Sequence, residues 1–268
     1  MPKIGFLGFG EAGQAMAEGL DQDFIAFDLR ADRCRDTTSA QDLRQADLVF
    51  ALVTADQALA AAKSAEGVSI YLDGNSCAPQ TKQAAAEVIE AAGGTYIDLA
   101  IMAPIYPRKH QTPMLACGPQ AEAITDQLTT LGMDVTFKGV QVGKASSIKL
   151  CRSIAVKGLE AMQAELSFAA HALDVADEVF DSLDASYPGF DWRRRSTYAL
   201  DRMMVHGQRR AAEMAEAATM ISGLGIDPKI AKATTQWQET VGSLGIAPGT
   251  TGFSERTGLL RQALGERA

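Results

Sequence analysis

The stretch Ile4-Gly5-Phe6-Leu7-Gly8-Phe9-Gly10-Glu11-Ala12-Gly13 limits the fold more than any other part of this 268-residue chain. A short apolar run leads straight into a G-x-G-x-x-G spacing, and Gln14-Ala15-Met16-Ala17 then opens a helical segment. Glycines at that spacing occur by chance; between a strand and a helix they have a mechanism. Gly8 permits the tight turn, Gly10 lets a diphosphate approach the backbone, and Gly13 lets helix and strand pack closely. The helix start, with Phe9, Glu11 and Ala12 around it, supplies unpaired N–H groups and a positive dipole end. Asp28 ends the second apolar run, 28 − 8 = 20 positions beyond the first glycine. A carboxylate there accepts hydrogen bonds from both ribose hydroxyls of NAD and repels a 2′-phosphate. Arg30 and Arg33 argue the other way, since either cation suits that phosphate. The cofactor expected is NAD, with NADP as the alternative.

Further apolar runs at 48–53, 69–72 and 95–97 join those at 4–7 and 24–27 as expected strands, and two more fall around 114–117 and 134–137. Several lack polar alternation, as strands covered on both faces do. Ala-, Glu- and Gln-rich segments such as 81–92 lie between them. Strands alternating with helices imply an α/β fold with a doubly wound parallel sheet, a Rossmann domain. After about Gly143 the pattern changes. Ile148, Cys151, Ala155, Gly158, Met162, Leu166 and Ala169 recur at three- and four-residue steps, the stripe of a long buried helix. Leu200, Met204, Gly207, Ala211, Met214, Ala218 and Ile221 form a second series, with small members that let another helix approach. The expected division is a cofactor-binding Rossmann domain over 1–142 and an all-α substrate and dimerisation domain over 143–268.

Composition removes several classes of function. The 25 Lys and Arg against 33 Asp and Glu give a net charge of −8, which argues against nucleic acid or an anionic membrane as partner. Cys34, Cys77, Cys117 and Cys151 form no C-x-x-C pair and histidines number 3, so neither a disulfide framework nor a metal site is expected. No run approaches the ~18 apolar residues of a spanning helix. The N-terminus reads as no signal peptide. A cytoplasmic protein is the expectation.

With its glycine loop at the N-terminus and a helical second half, the chain resembles the β-hydroxyacid dehydrogenases, a group including 3-hydroxyisobutyrate and 6-phosphogluconate dehydrogenases and the imine reductases. Asp73-Gly74-Asn75-Ser76-Cys77-Ala78-Pro79 sits where that family has Asp-x-Ser-Thr-x-x-Pro, and Gly143-Lys144-Ala145-Ser146-Ser147-Ile148-Lys149 matches the lead-in to its catalytic lysine. Met102-Ala103-Pro104, Lys149-Leu150-Cys151-Arg152-Ser153 and the segment from Arg209 to Met214 are similar to a branch with an uncharacterised helical C-terminal domain. Two departures stand out. Met102-Ala103-Pro104 replaces a Ser-Gly-Gly element that holds the substrate carboxylate, and Pro104 has no backbone donor. Ser153 stands four residues after the lysine in place of the usual Asn.

Residue type alone makes Lys149 a solvated helix lysine; the resemblance makes it the general acid/base of hydride transfer between nicotinamide and a small hydroxy acid or related carbonyl compound. Ser153 shares its helix face, so it is expected to orient the ammonium or the substrate. Asn75 and Ser76 follow a strand at the carboxyl end of the sheet, where ligands of such folds bind, with Asn75 toward the cofactor and Ser76 toward the substrate. Thr54 and Ala55 would line the cofactor likewise, and Met102, Ala103 and Pro104 the substrate. The cations of 191–195 and 206–210 read as a solvated face. Two alternatives remain: an imine or ketone reductase, and a non-catalytic NAD(H)-binding redox sensor. The expected substrate is small and anionic, and a homodimer is expected from the small-residue helix stripes.

Overall fold

A computed structural model describes residues 1–249 and 252–265. The chain separates into two compact units, Met1–Cys151 and Arg152–Ala268. In the first unit seven strands form one sheet in the order β2-β1-β3-β4-β5-β6-β7. They are β1 (Ile4–Leu7), β2 (Phe24–Phe27), β3 (Leu48–Ala51), β4 (Ile70–Asp73), β5 (Thr95–Ile101), β6 (Met114–Cys117) and β7 (Val135–Phe137). Four helices accompany them: α1 (Glu11–Leu20), α2 (Ala58–Ser64), α3 (Pro79–Ala91) and α4 (Ala121–Thr130). Both faces of the sheet are covered. Phe6, Phe50, Leu72 and Ile97 pack with Met16 and Leu128 on one side. Val49, Tyr71 and Tyr96 pack with Leu43, Ala62 and Ile89 on the other. This burial from two sides is why the strand sequences are predominantly apolar.

The sheet departs from the expected parallel pattern at one pair, since β5 runs antiparallel to β6 while every other pairing is parallel. A parallel neighbour needs a crossover, usually a helix. The connection over 102–113 holds only the 3-10 turn Lys109–Gln111, and the chain simply turns back. The first five strands, β1 to β5, are mutually parallel and end toward one rim. The chain moves from β1 to β2 on one side and to β3 on the other, so that rim is the crevice where doubly wound sheets bind ligands.

The two compact units divide at 151/152. The helix α5 (Lys144–Ala172) begins within the first unit because Asp98, on β5, accepts from the backbone N–H groups of Gly143 (3.0 Å) and Ser146 (3.2 Å). The remaining helices are α6 (Ala176–Ser186), α7 (Trp192–Gly223), α8 (Lys229–Gly242) and α9 (Phe253–Gly265). On α7 the expected stripe is buried from Leu200 to Ala218. Its glycine has the anticipated use: a Cβ on Gly207 would lie 2.3 Å from the Gln238 carbonyl of α8. The stripe on α5 was expected to be buried, and much of it is not. Of its members, Ile148 (37%), Cys151, Ala155, Met162 (45%) and Ala169 are exposed, whereas Ser153, Lys157, Glu160, Gln163 and Ser167 are buried. The polar face turns inward because its members find partners there. Lys157 pairs with Glu213 (2.9 Å), and Glu160 accepts from Arg210 and from Gln238 (2.9 Å). Among the described residues no helix is long and apolar enough to cross a membrane.

Candidate functional site

The three loop glycines answer to different constraints. Gly8 has φ +85°, and a Cβ there would lie 2.7 Å from the Leu52 carbonyl oxygen. A Cβ on Gly13 would lie 2.9 Å from the Gly8 carbonyl oxygen, so the chain itself excludes larger residues at both positions. Gly10 is different. Its φ of −79° suits any residue, and an added Cβ would meet only Arg33 Nη1, at 3.6 Å. The protein's own packing does not require glycine at the first residue before α1, where unpaired helix N–H groups face outward. A cradle left open at that point fits a ligand diphosphate.

Asp28 stands beside this loop. Its Oδ2 accepts from Phe9 N (2.7 Å) and its Oδ1 from Arg30 N (2.9 Å), which fixes the carboxylate at the end of β2. Arg30 turns its guanidinium to Asp32 (3.0 Å), and both side chains are exposed. The Arg30 hydrogen bond holds the Asp32 carboxyl below its ordinary range. Arg33, not Arg30, is therefore the cation at Gly10. Cys34 lies under the same turn, its Sγ donating to the Asp28 carbonyl at 3.2 Å.

Beyond β3, Thr54 precedes the 3-10 turn Ala55–Gln57, and Glu11 and Ala12 form the first turn of α1. Asn75 joins two strand ends by accepting from Val53 N through Oδ1 (2.7 Å). It is only 4% exposed, yet its Nδ2 has no acceptor among the described residues. A buried amide donor without an acceptor costs about 1–3 kcal/mol, so this donor is suited to a ligand oxygen. One residue on, Ser76 Oγ accepts from Lys149 Nζ (2.5 Å). Residues 73 positions apart thus meet at the carboxyl rim of the sheet. Met102, Ala103 and Pro104 begin the connection after β5, with Met102 N donating to Pro113 O (2.9 Å) and the next two residues exposed.

Ser153 meets a lysine other than Lys149. Its hydroxyl accepts from Lys157 Nζ at 2.9 Å and is buried with that lysine. Burial depresses the Lys157 ammonium, only partly countered by Glu213. The cations expected on a solvated face are largely paired: Arg193 with Asp177, Arg194 with Asp191 (2.7 Å), Arg209 with Glu213 (2.7 Å) and Arg210 with Glu160.

One group escaped the sequence reading. Lys82 on α3 is fully buried, with Nζ 2.9 Å from Asp73 Oδ1 and 3.4 Å from Asp98 Oδ1. Burial alone would lower its pKa; Asp73, Cys77 and Asp98 more than reverse this, and the net shift is upward. The available signal was two aspartates, one in each of two adjacent apolar strands, with a lysine in the first turn of the helix between them.

A doubly wound, Rossmann-type sheet entered through this glycine loop is followed by an all-helical unit. The family model described as Domain of unknown function (DUF1932) matches residues 170–241. A conserved hypothetical protein from Sinorhizobium meliloti 1021 is 30% identical, with 98% of this chain and 97% of that one covered and a TM-score of 0.79. The conserved protein MTH1747, of unknown function and described as structurally similar to 3-hydroxyacid dehydrogenases, is 28% identical over 91% of this chain and 100% of its own, with a TM-score of 0.69. At 14% identity the fold is shared with 3-hydroxyisobutyrate dehydrogenase from Salmonella typhimurium, over 97% and 100% of the chains, with a TM-score of 0.69. The chain belongs to one family with the Sinorhizobium meliloti protein, and its fold is the one shared with the hydroxyacid dehydrogenases.

Proposed function

We propose that this protein is a pyridine-dinucleotide-dependent oxidoreductase that interconverts a small hydroxy acid and its carbonyl compound, with Lys149 as general acid/base. The observation that carries the reading is the Lys149–Ser76 contact at the rim onto which the Gly10 cradle opens. A bound dinucleotide supplies the hydride donor or acceptor. The chain supplies the rest. Gly10 and the start of α1 receive the diphosphate, Asp28 receives ribose hydroxyls, and Asn75 Nδ2 donates to a ligand oxygen. Lys149 takes the proton from the substrate hydroxyl during oxidation and returns it to the developing alkoxide during reduction. Ser76 holds the lysine nitrogen at the strand end.

The test is a panel pairing hydroxy acids and NAD+ with ketones, cyclic imines and NADH. Oxidation of a hydroxy acid, or reduction of its carbonyl partner, is the expected result. A preference for imines or bulkier ketones supports the second reading, which is favoured by the exposed Pro104 in place of a backbone donor. No turnover of any pair, despite tight NADH binding, would leave a non-catalytic sensor. Asp28 also sets a cofactor preference: NADH should bind at least ~10-fold tighter than NADPH, because a 2′-phosphate meets the carboxylate. Equal affinities in a calorimetric titration would overturn that assignment and pass selectivity to Arg33.

A further inference from the structure

A lysine enclosed with two carboxylates is a poor way to gain stability, since desolvation of the ions offsets much of their attraction. The arrangement around Lys82 also makes specific outward contacts. Asp73 Oδ1, which accepts from Lys82, also accepts from Asn75 N (2.9 Å), and its Oδ2 accepts from the Tyr96 hydroxyl (2.5 Å). The Asn75 amide belongs to the residue immediately before Ser76. Asp98 turns Oδ1 toward Lys82 and uses Oδ2 for Gly143 N and Ser146 N, at the start of α5. The positive end of that helix favours a carboxylate there. Lys149 follows Ser146 by three residues, less than one turn. One carboxylate therefore anchors the segment bearing Ser76, the other anchors the helix bearing Lys149, and Lys82 joins the two.

We infer that Lys82 is a positioning residue, which through Asp73 and Asp98 sets the separation of the Lys149 nitrogen from the Ser76 hydroxyl. The inference rests on the catalytic reading of Lys149 given above. Lys82 touches neither group directly, and neither Asp73 nor Asp98 is placed at the reacting atoms. Their effect on turnover would come from geometry alone, where a displacement of about 1 Å can cost up to ~100-fold.

The test uses Asp98→Asn in the full chain. This variant keeps an acceptor for the α5 amides, removes the attraction for Lys82, and leaves Lys82 paired with Asp73. We expect kcat to fall at least ~10-fold with KM and the NADH Kd within about twofold. Amide hydrogen exchange over 143–150 should quicken at least ~10-fold while β1 to β3 keep their protection. An unchanged kcat overturns the inference. So does a loss shared by kcat, KM, Kd and exchange throughout residues 1–151, which marks a role in core stability alone.

Tyr96→Phe removes one hydroxyl and no charge. It should quicken exchange over 74–78 only and lower kcat with KM kept; unaltered exchange there overturns the inference. If the wild-type protein turns over no pair on the panel, the catalytic reading of Lys149 fails by itself. The exchange measurements still decide whether Lys82 and its carboxylates set the two segments: local quickening supports this, and its absence refutes it.

Discussion

Lys149→Ala lowers turnover at least ~100-fold and leaves the NADH Kd within about twofold, a barrier increase of ~2.7 kcal/mol or more. The asymmetry follows from the geometry. The diphosphate cradle is built from Gly8, Gly10, Gly13 and the start of α1, whereas Lys149 donates to Ser76 Oγ, beyond β4. Removing the amine takes away the group that exchanges a proton with the substrate oxygen. It also takes away the donor to Ser76 Oγ. Ser76→Ala is a useful companion, because it removes the hydroxyl and retains the amine. A Lys149→Ala protein with near-normal turnover would exclude the lysine from the chemistry.

Lys82→Met should cost ~3–5 kcal/mol of unfolding free energy, the usual penalty for removing one member of a buried ion group. Methionine nearly matches the volume of lysine, so the loss is one of charge compensation. Two carboxylates, both with 0% side-chain exposure, would be left facing each other without a cation. The Lys82 pKa is raised in the folded state by its partners against the opposing effect of burial. A group raised in this way contributes its stabilisation fully below the ordinary lysine pKa of about 10.4 and loses it only as pH climbs through the folded value. Urea unfolding near pH 7 therefore reads the whole contribution. Adding Asp98→Asn to Lys82→Met should recover part of the loss by removing one uncompensated charge, a non-additivity expected of residues in contact. A double variant less stable than Lys82→Met would contradict this account of the ion group.

The sheet was legible in the sequence because burial from both sides makes most strands predominantly apolar. Phe6, Phe50 and Leu72 on one face alternate with Val49 and Tyr71 on the other without a polar residue intervening. The direction of β6 was not legible, since it depends on whether residues 102–113 form a crossover helix, and strand composition carries no record of that. The small apolar residues of α5 misled for a related reason. A polar helix face is buried when its partners come from distant segments: Arg210 and Gln238 lie 50 and 78 positions from Glu160. Local periodicity sees none of these pairings. Lys82 was hidden similarly, as one lysine in an Ala- and Gln-rich helix whose partners sit on two separate strands. In the glycine loop, spacing alone could not separate Gly10 from its neighbours. The space available to a Cβ does: Gly8 and Gly13 serve the fold, and the protein's own packing makes no such demand at Gly10. Lys149 stood out only through the family resemblance, because nothing in its local sequence distinguishes it from a solvated lysine.

Calorimetric titration of NADH into the wild-type protein and into Gly10→Ala tests the central claim most directly. The account predicts saturable one-site binding to the wild type and affinity weakened at least ~10-fold in Gly10→Ala, with its unfolding midpoint unchanged because the added methyl meets no backbone. Absence of binding heat for both NADH and NADPH, or equal affinity in the two proteins, would contradict it.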